Sequence, residues 1–454
     1  MPKHRPTILQ IIPQLDAGGA ELSVVEIASA VASAGGRCLV LAEPGRLAAS
    51  IMAGGGEVHP FPAATKNPLR ILANAGAIAR ISAREGVDLI HARSRAPAWS
   101  ALLAARRIGV PFVTTYHGAY NETNAAKRLY NSVMARGDVV IANSGYTASL
   151  IAARYGAPVG RVEVIHRGVD PAAFDPGMLV PERVAALREN WRLAPGERVI
   201  LQAARLTRWK GQGVLIDAAA RLHAQGRLQD TAVVLAGDAQ GRDAYVAELH
   251  SQIARHGLEA RVRIVGHVED MAAAYLAAHV TVVASTEPEA FGRTAIEAAA
   301  VGCPVIATSI GAPPETVLAA ERGQTPNPQL QVESQSLEAG GLAPASASGP
   351  TGWLTPPGDA QALAERLAEA LSLPPAARSA MGKRARQHVL ANFSVASMQR
   401  STLGVYDRLL GTALQAAFDQ VSARVSAQVS AQVSAQVSAK SPLDSSVSVS
   451  PQRT

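Results

Sequence analysis

The stretch Glu287-Pro-Glu-Ala-Phe-Gly-Arg-Thr-Ala-Ile-Glu-Ala-Ala-Ala-Val301 holds two carboxylates, Glu289 and Glu297, eight positions apart. It follows an apolar, β-branched run, His279-Val-Thr-Val-Val-Ala-Ser285, that reads as a strand. Pro288 sits on the loop that leaves this strand, and a helix is expected to open near Gly292. A strand, a tight turn and a helix N-terminus make an anion site, because the first amides of a helix have no partner within it. Carboxylates in the same turn suit hydroxyls rather than phosphate. A ligand that is anionic and also rich in hydroxyls uses both features.

Upstream lies Leu201-Gln-Ala-Ala-Arg-Leu-Thr-Arg-Trp-Lys-Gly-Gln-Gly213. An apolar strand over 198–203 runs into a loop with Arg205 and Lys210, then into a helix from Val214 to Leu222. Two cations leaving the carboxyl end of a strand suit a diphosphate: Arg offers a planar fork of donors, Lys a mobile point charge. Arg-x4-Lys-Gly, followed about eighty residues later by Glu-x7-Glu, resembles the retaining glycosyltransferases of family four, which have the GT-B fold. The resemblance covers roughly residues 7–410. It implies an α/β chain of two Rossmann-like domains facing a central cleft, with a C-terminal helix within 376–410 that crosses back onto the first domain.

Length and composition agree with that architecture. A chain of 454 residues, 48% hydrophobic, holds two domains of ordinary size and a tail. Strands are expected near 7–13, 38–42, 57–61, 87–91, 111–115, 138–142 and 162–166, then at 198–203, 231–236, 262–266, 279–284 and 303–307, with helices between. The expected division is a first domain over 1–180, a nucleotide-sugar-binding domain over 195–375 and C-terminal helices over 376–418. The boundary falls in the proline-bearing segment Pro171–Pro195. Residues 321–350 read as a surface insertion and 419–454, with its Val-Ser-Ala-x repeats, as a disordered or marginally helical tail.

Cys38 and Cys303 lie in apolar contexts in different halves, which fits a reducing compartment rather than a disulfide framework. No run of eighteen uncharged apolar residues occurs, and the expectation is a cytoplasmic protein, peripheral at most at the inner face of the membrane. The net charge of +7 is uneven: residues 1–190 carry 20 Lys and Arg against 14 Asp and Glu. Arg93-Ser-Arg95, Arg106-Arg107, Lys127-Arg128 and Arg136 flank apolar helical stretches and read as a basic surface on the first domain. Such a surface suits anionic head groups or an anionic acceptor. Aromatic residues make up only 4%, and no nucleic-acid module is seen.

Three loops of the first half end strands. Gln14-Leu-Asp-Ala-Gly-Gly-Ala-Glu21 brings Gly18 and Gly19 to a helix N-terminus. It is not a dinucleotide fingerprint; it reads either as a tight strand-to-helix turn or as a ligand loop. Thr114-Thr-Tyr-His-Gly-Ala119 places His117 beside a glycine at the end of a strand, and Asn143-Ser-Gly-Tyr146 ends another. Arg167-Gly-Val-Asp170 resembles the family's Asn-Gly-Val-Asp turn, with Arg167 in place of Asn.

The resemblance assigns roles. The donor is a nucleotide-diphosphate sugar and the acceptor a saccharide or lipid-linked saccharide. Arg205 and Lys210 would stabilise the leaving diphosphate, helped by the amides of Gly292 to Thr294. Glu289 would hold the donor sugar, Glu297 the ribose, Gly266 would border the base, and Phe291 would join the donor site. Gly18 and Gly19 would border the acceptor or the phosphates, and His117 would orient the sugar or the incoming hydroxyl. No Asp-x-Asp pair occurs, so no metal or other cofactor is expected. The pathway read from charge and family habit is cell-envelope polysaccharide or lipopolysaccharide synthesis. A nucleotide-sugar epimerase or phosphorylase on the same scaffold, and a non-catalytic partner protein, stay as alternatives.

Overall fold

The computed structural model describes residues 5–16, 18–118, 120, 122–156, 160–319 and 349–439. Seven strands form the first sheet: β1 (Thr7–Gln14), β2 (Arg37–Glu43), β3 (Glu57–Pro60), β4 (Leu89–Ala92), β5 (Phe112–Tyr116), β6 (Val139–Ala142) and β7 (Val162–Val164). Six form the second: β8 (Arg198–Ala203), β9 (Thr231–Ala236), β10 (Val262–Gly266), β11 (Val280–Val283), β12 (Val305–Thr308) and β13 (Gly352–Thr355). The strand orders are β3-β2-β1-β4-β5-β6-β7 and β10-β9-β8-β11-β12-β13. Every pairing is parallel. Parallel strands are covered on both faces, so they read as unbroken apolar runs: Ile8, Leu9, Ile11 and Ile12 of β1 are all buried. In each sheet the chain reverses its direction of growth beside the central strand, between β1 and β4 and between β8 and β11. These are the points where open sheets leave a crevice at their carboxyl ends.

The twelve expected strands are present; three have the expected bounds and the ends of the others shift by at most two residues. β13 was not expected. It is a four-residue edge strand whose Gly352 lies where a Cβ would stand 2.3 Å from the Val305 carbonyl, so its sequence carries little apolar signal. The expected linker Pro171–Pro195 is also different. Its helix Pro181–Asn190 packs on the helix Met271–Ala277, and Leu179 and Trp191 enter the second core. The crossing itself is shorter. Val169 donates its N–H to the Phe393 carbonyl at 2.9 Å, and Val395 donates back to Val169 at 3.0 Å. The outgoing and returning chains therefore run side by side as a two-strand hinge, with a parallel bridge from Val169 to Ser394. Gly168 allows this contact, because a Cβ there would lie 2.2 Å from Ser394.

The helix Pro375–Asn392 packs on the second domain, and Val395–Leu410 packs on the first against the helix Gly19–Ser33. Met398, Leu403, Tyr406, Leu414 and Phe418 lie in one core with Ile8, Val24 and Ile27. Burial of such side chains is worth about 1.5–3 kcal/mol each, so the crossing helices are part of the first domain's stability. The tail needs a correction. The helix Leu414–Ala439 runs through much of the segment expected to be disordered or at most marginally helical. Its first amides, on Leu414 and Gln415, donate to the Asp407 carboxylate, and Leu414 and Phe418 anchor it. Residues 440–454, and 321–348 of the expected insertion, lie outside the described residues.

The basic surface is corrected in part as well. Arg106, Arg107, Lys127 and Arg128 are exposed, but Arg93 is buried and Arg95 faces inward. Arg93 donates to Gln10 at 2.8 Å and to Thr115 at 3.3 Å. Arg95 donates to Asn131 at 2.8 Å, with its guanidinium 3.9 Å above the Tyr120 ring. Both follow the carboxyl end of β4: Arg95 lines the cleft, and Arg93 is buried near Tyr406 of the crossing helix. Among the described residues no helix is long and apolar enough to cross a membrane.

Candidate active site

A cleft of about 910 Å³ separates the two sheets, lined from both by residues at the carboxyl ends of strands. Its second-domain wall is built around Lys210 and Glu289. They are far apart in sequence, but β8 and β11 are neighbours at the reversal point, so their loops meet. The Lys210 Nζ lies 2.5 Å from Glu289 Oε1, and the Ser285 hydroxyl donates to the same oxygen at 2.5 Å. Gly211 fixes this approach: its φ is +73°, and a Cβ would stand 1.9 Å from the Ala284 carbonyl. The Gln202 side chain donates to the Lys210 carbonyl at 2.6 Å and holds the loop from beneath. Arg205 lines the same wall and is exposed; its carbonyl accepts from Gln212 at 2.9 Å, but its guanidinium makes no hydrogen bond or ion pair among the described residues. A cation already held in place and a second one free beside it suit a ligand with two phosphates.

The helix expected near Gly292 is Arg293–Ala300, with Gly292 at φ +86° as its N-cap. Thr294 faces the cleft and donates to the Ala203 carbonyl at 3.1 Å. Glu297, one turn on, accepts from Tyr275 at 3.1 Å and from Arg293 at 3.2 Å. Phe291 borders the cleft but is only 2% exposed. Its ring packs against His166 and Phe393 in the hinge cluster, while the residue still lines the cleft. Gly266, at φ +71°, ends β10 and accepts from Gly237 at 2.7 Å. The next residues, His267 and Val268, form the wall where Gly266 was expected to.

The first domain supplies the opposite wall. Gly18 and Gly19 open the helix Gly19–Ser33 at the cleft. A Cβ on Gly19 would lie 2.2 Å from Arg167 Nη1, so the loop is glycine-rich to admit an arginine. Arg167 Nη2 donates to His117 Nδ1 at 2.5 Å. Arg167 is buried and His117 partly buried at the cleft's edge. Burial, then the Arg167 and Arg93 charges, hold His117 well below the usual histidine range. Burial first, then Arg293, pushes Arg167 down to about 10, still charged at neutral pH. Asn143 also lines this wall.

Three residues that sequence reasoning left out join the domains. Arg293 Nη1 donates to Glu26 of the first domain at 3.2 Å while its Nε holds Glu297. Glu315 accepts from the first amides of the helix Gly145–Tyr155, Gly145 at 2.9 Å and Tyr146 at 2.8 Å. Ser144 donates to the Ala290 carbonyl at 2.7 Å. No local pattern marks such partners, because each depends on how the two sheets face each other.

Known proteins share this arrangement. Residues 17–173 match the model described as Glycosyltransferase Family 4, and residues 184–337 match Glycosyl transferases group 1. A D-inositol 3-phosphate glycosyltransferase from Xylanimonas cellulosilytica is 32% identical over 331 residues, covering 65% of this chain and 76% of the relative. A glycosyltransferase structure from Rickettsia africae superposes with a TM-score of 0.77 at 31% identity, covering 90% of this chain and all of the other. HepE from Anabaena, solved with UDP-glucose, superposes with a TM-score of 0.72 at 26% identity, covering 88% and 99%. Two parallel-sheet domains facing one cleft, with these matches over both, place the chain in family four of the GT-B glycosyltransferases.

Proposed function

We propose that this enzyme moves a sugar from a nucleotide-diphosphate donor to an acceptor hydroxyl, with retained configuration and without a metal ion. The observation that carries the reading is the Lys210–Glu289 pair beside the unpartnered Arg205 guanidinium at the helix N-terminus Gly292–Thr294. Breaking the glycosidic bond leaves a diphosphate with growing negative charge and a sugar with growing positive charge. Lys210 and Arg205 stabilise the first, and the Arg293–Ala300 amides add fixed dipoles. Glu289 would hold the sugar hydroxyls, and Glu297, on the helix Arg293–Ala300, would hold the ribose. The two cations take the place a divalent ion holds in other glycosyltransferases. In retaining enzymes of this family the acceptor attacks the face the phosphate leaves, and a phosphate oxygen takes its proton.

The Anabaena structure contains UDP-glucose, which makes uridine the first base to test. The Xylanimonas relative is named for D-inositol 3-phosphate, a phosphorylated polyol. The first-domain wall brings Arg46, Arg95 and Arg167 to the cleft against Glu21, a balance that favours an anionic acceptor. An envelope precursor, lipid-linked or phosphorylated, has that chemistry. Peripheral membrane contact would use the helix Pro68–Glu85, where Leu69 and Leu72, 77% and 61% exposed, flank Arg70. Cosedimentation with anionic but not neutral vesicles is expected, with loss in Leu69→Ser/Leu72→Ser.

The test of the donor site is thermal unfolding of the protein with UDP-, GDP-, ADP- and TDP-sugars. A ligand at one hundred times its dissociation constant adds about 2.7 kcal/mol to stability. One nucleotide class should raise Tm, and Lys210→Ala and Glu297→Ala should each abolish the rise. A folded protein that no donor stabilises would speak for the non-catalytic partner instead. Donor turnover without acceptor would favour an epimerase or phosphorylase. Full transfer in excess chelator is expected; its loss, restored by a divalent ion, would end the metal-independent reading.

A further inference from the structure

His117 is partly buried, and its Nδ1 is occupied by the Arg167 guanidinium at 2.5 Å. A guanidinium only donates, so Nδ1 must accept, and the ring proton of the neutral imidazole stands on Nε2. That Nε2 is buried and has no partner, although His117 lines the cleft between the two walls. An orphaned buried donor at a ligand wall is a group waiting for an acceptor. Arg167 in turn is held by its surroundings rather than by a direct carboxylate partner. It fits only because residue 19 has no Cβ, and the hinge Gly168–Val169 fixes its backbone against Ser394.

We propose that Arg167 is a positioning residue that locks His117 as the Nε2–H tautomer, so that His117 meets the donor's transferred sugar as a hydrogen-bond donor and is closed to base catalysis. This rests on the reading of the cleft as a sugar-transfer site. An imidazole whose Nδ1 lone pair is taken by a permanent cation has its remaining nitrogen already protonated. It has no lone pair to offer the acceptor's hydroxyl. The lock leaves the hydroxyl proton to another acceptor, in the proposed transfer an oxygen of the departing phosphate, while the new C–O bond forms and the old one breaks.

Groups from every side of the ring bear on its titration. Arg167 follows β7, Arg93 follows β4, and His91 lies on β4. The Tyr120 hydroxyl sits 3.4 Å from the His117 amide. Glu21, Glu26 and Arg293 face Arg167. Removing Arg167 takes away a positive charge and the N–H that blocks Nδ1, and both changes let the ring bind a proton more readily.

The test uses the full chain labelled with 15N-histidine and long-range proton–nitrogen spectra from about pH 5.5 to 8.5. The His117 signal is assigned by its loss in His117→Gln. The parent should show a single Nε2–H tautomer that does not titrate over that range. Arg167→Asn should show mixed tautomers and a ring that protonates on acidification, and Arg167→Lys, which keeps a donor, should restore the parent pattern in part. Gly19→Ala, which crowds Arg167 without removing it, should resemble Arg167→Asn. Circular dichroism and Tm establish that each variant is folded. In transfer assays Arg167→Asn should lower kcat about tenfold, the loss of one positioned hydrogen bond, and add an acid limb to its pH profile, with donor KM little changed. An Nδ1–H or imidazolium signal in the parent overturns the lock, as does an Arg167→Asn spectrum identical to the parent's. The spectra need no substrate, so the lock and the sugar-transfer reading can fail separately.

Discussion

Lys210 has two tasks, and they make its removal costly. It lies 2.5 Å from Glu289 Oε1 and stands 4.1 Å from the centre of the Trp209 ring, at the wall where the diphosphate is proposed to sit. Lys210→Ala takes away the cation and leaves Glu289, 7% exposed, with only the Ser285 hydroxyl. The expected result is a loss in kcat of about 10²–10³, the size seen when one preorganised charge partner of a transition state is lost. Steady-state kinetics with saturating donor measures it. Glu297 is different. It faces a part of the donor that does not change during reaction, so its contact is equal in ground and transition states. Glu297→Gln should raise donor KM about tenfold with kcat nearly intact. An equal fall in kcat would move Glu297 into the chemistry. Both carboxylates were legible in the sequence because a strand, a turn and a helix place them by local rules. The partners that orient them were legible only in part: Arg293 stands four residues before Glu297 on the same helix, an i,i+4 spacing the sequence displays, whereas Ser285 adjoins the motif with no spacing signal and Tyr275 reaches Glu297 only through packing.

At the scale of elements, the loop from β8 to the helix Gln212–Ala224 carries the site, and Gly211 decides its shape. A side chain there meets two obstacles: a left-handed backbone at φ +73° and the Ala284 carbonyl at 1.9 Å. Gly226, at the far end of the same helix, shares the first obstacle with φ +66° but has nothing within 4 Å. The pair separates strain from crowding. Gly226→Ala should cost about 1 kcal/mol, the penalty of the backbone alone. Gly211→Ala should cost about 2–4 kcal/mol, because β11's exit must move as well. At roughly 2–4 °C per kcal/mol for a domain of this size, differential scanning calorimetry resolves the two. Equal shifts would show that the loop yields without moving the strand. The strands themselves were readable as apolar runs, since parallel sheets are buried on both faces. β13 escaped notice because its signal is four residues of edge strand. The helix Leu414–Ala439 escaped because its start depends on Asp407 of the preceding helix, a partner no repeat pattern displays.

At the scale of the molecule, the two domains are joined at the hinge and across the cleft, and the cleft contact is electrostatic. Arg293 is shared between Glu297 of its own helix and Glu26 of the first domain. Burial outweighs this attraction at Glu26 and raises its carboxyl above the ordinary 4.5, while its second oxygen has no partner. A carboxylate with a raised folded pKa contributes stability fully below its unfolded value, and loses it as pH rises through the folded value. Glu26→Gln keeps an oxygen that accepts from Arg293 and removes the buried charge. It should therefore be as stable as the parent near or below pH 4.5 and more stable above the raised value. Arg293→Ala does the opposite at neutral pH: it strands Glu26 and Glu297 without their cation, at about 3–5 kcal/mol. Unfolding in urea across pH gives both numbers. A Glu26→Gln variant that is less stable at pH 7 than the parent would mean that the ion pair, not its burial, dominates. The activity of the same variant then tells what the contact is for. If Arg293 serves chiefly to hold Glu297, Glu26→Gln leaves donor KM unchanged; if it serves to bring the domains together, KM rises although the fold is firmer.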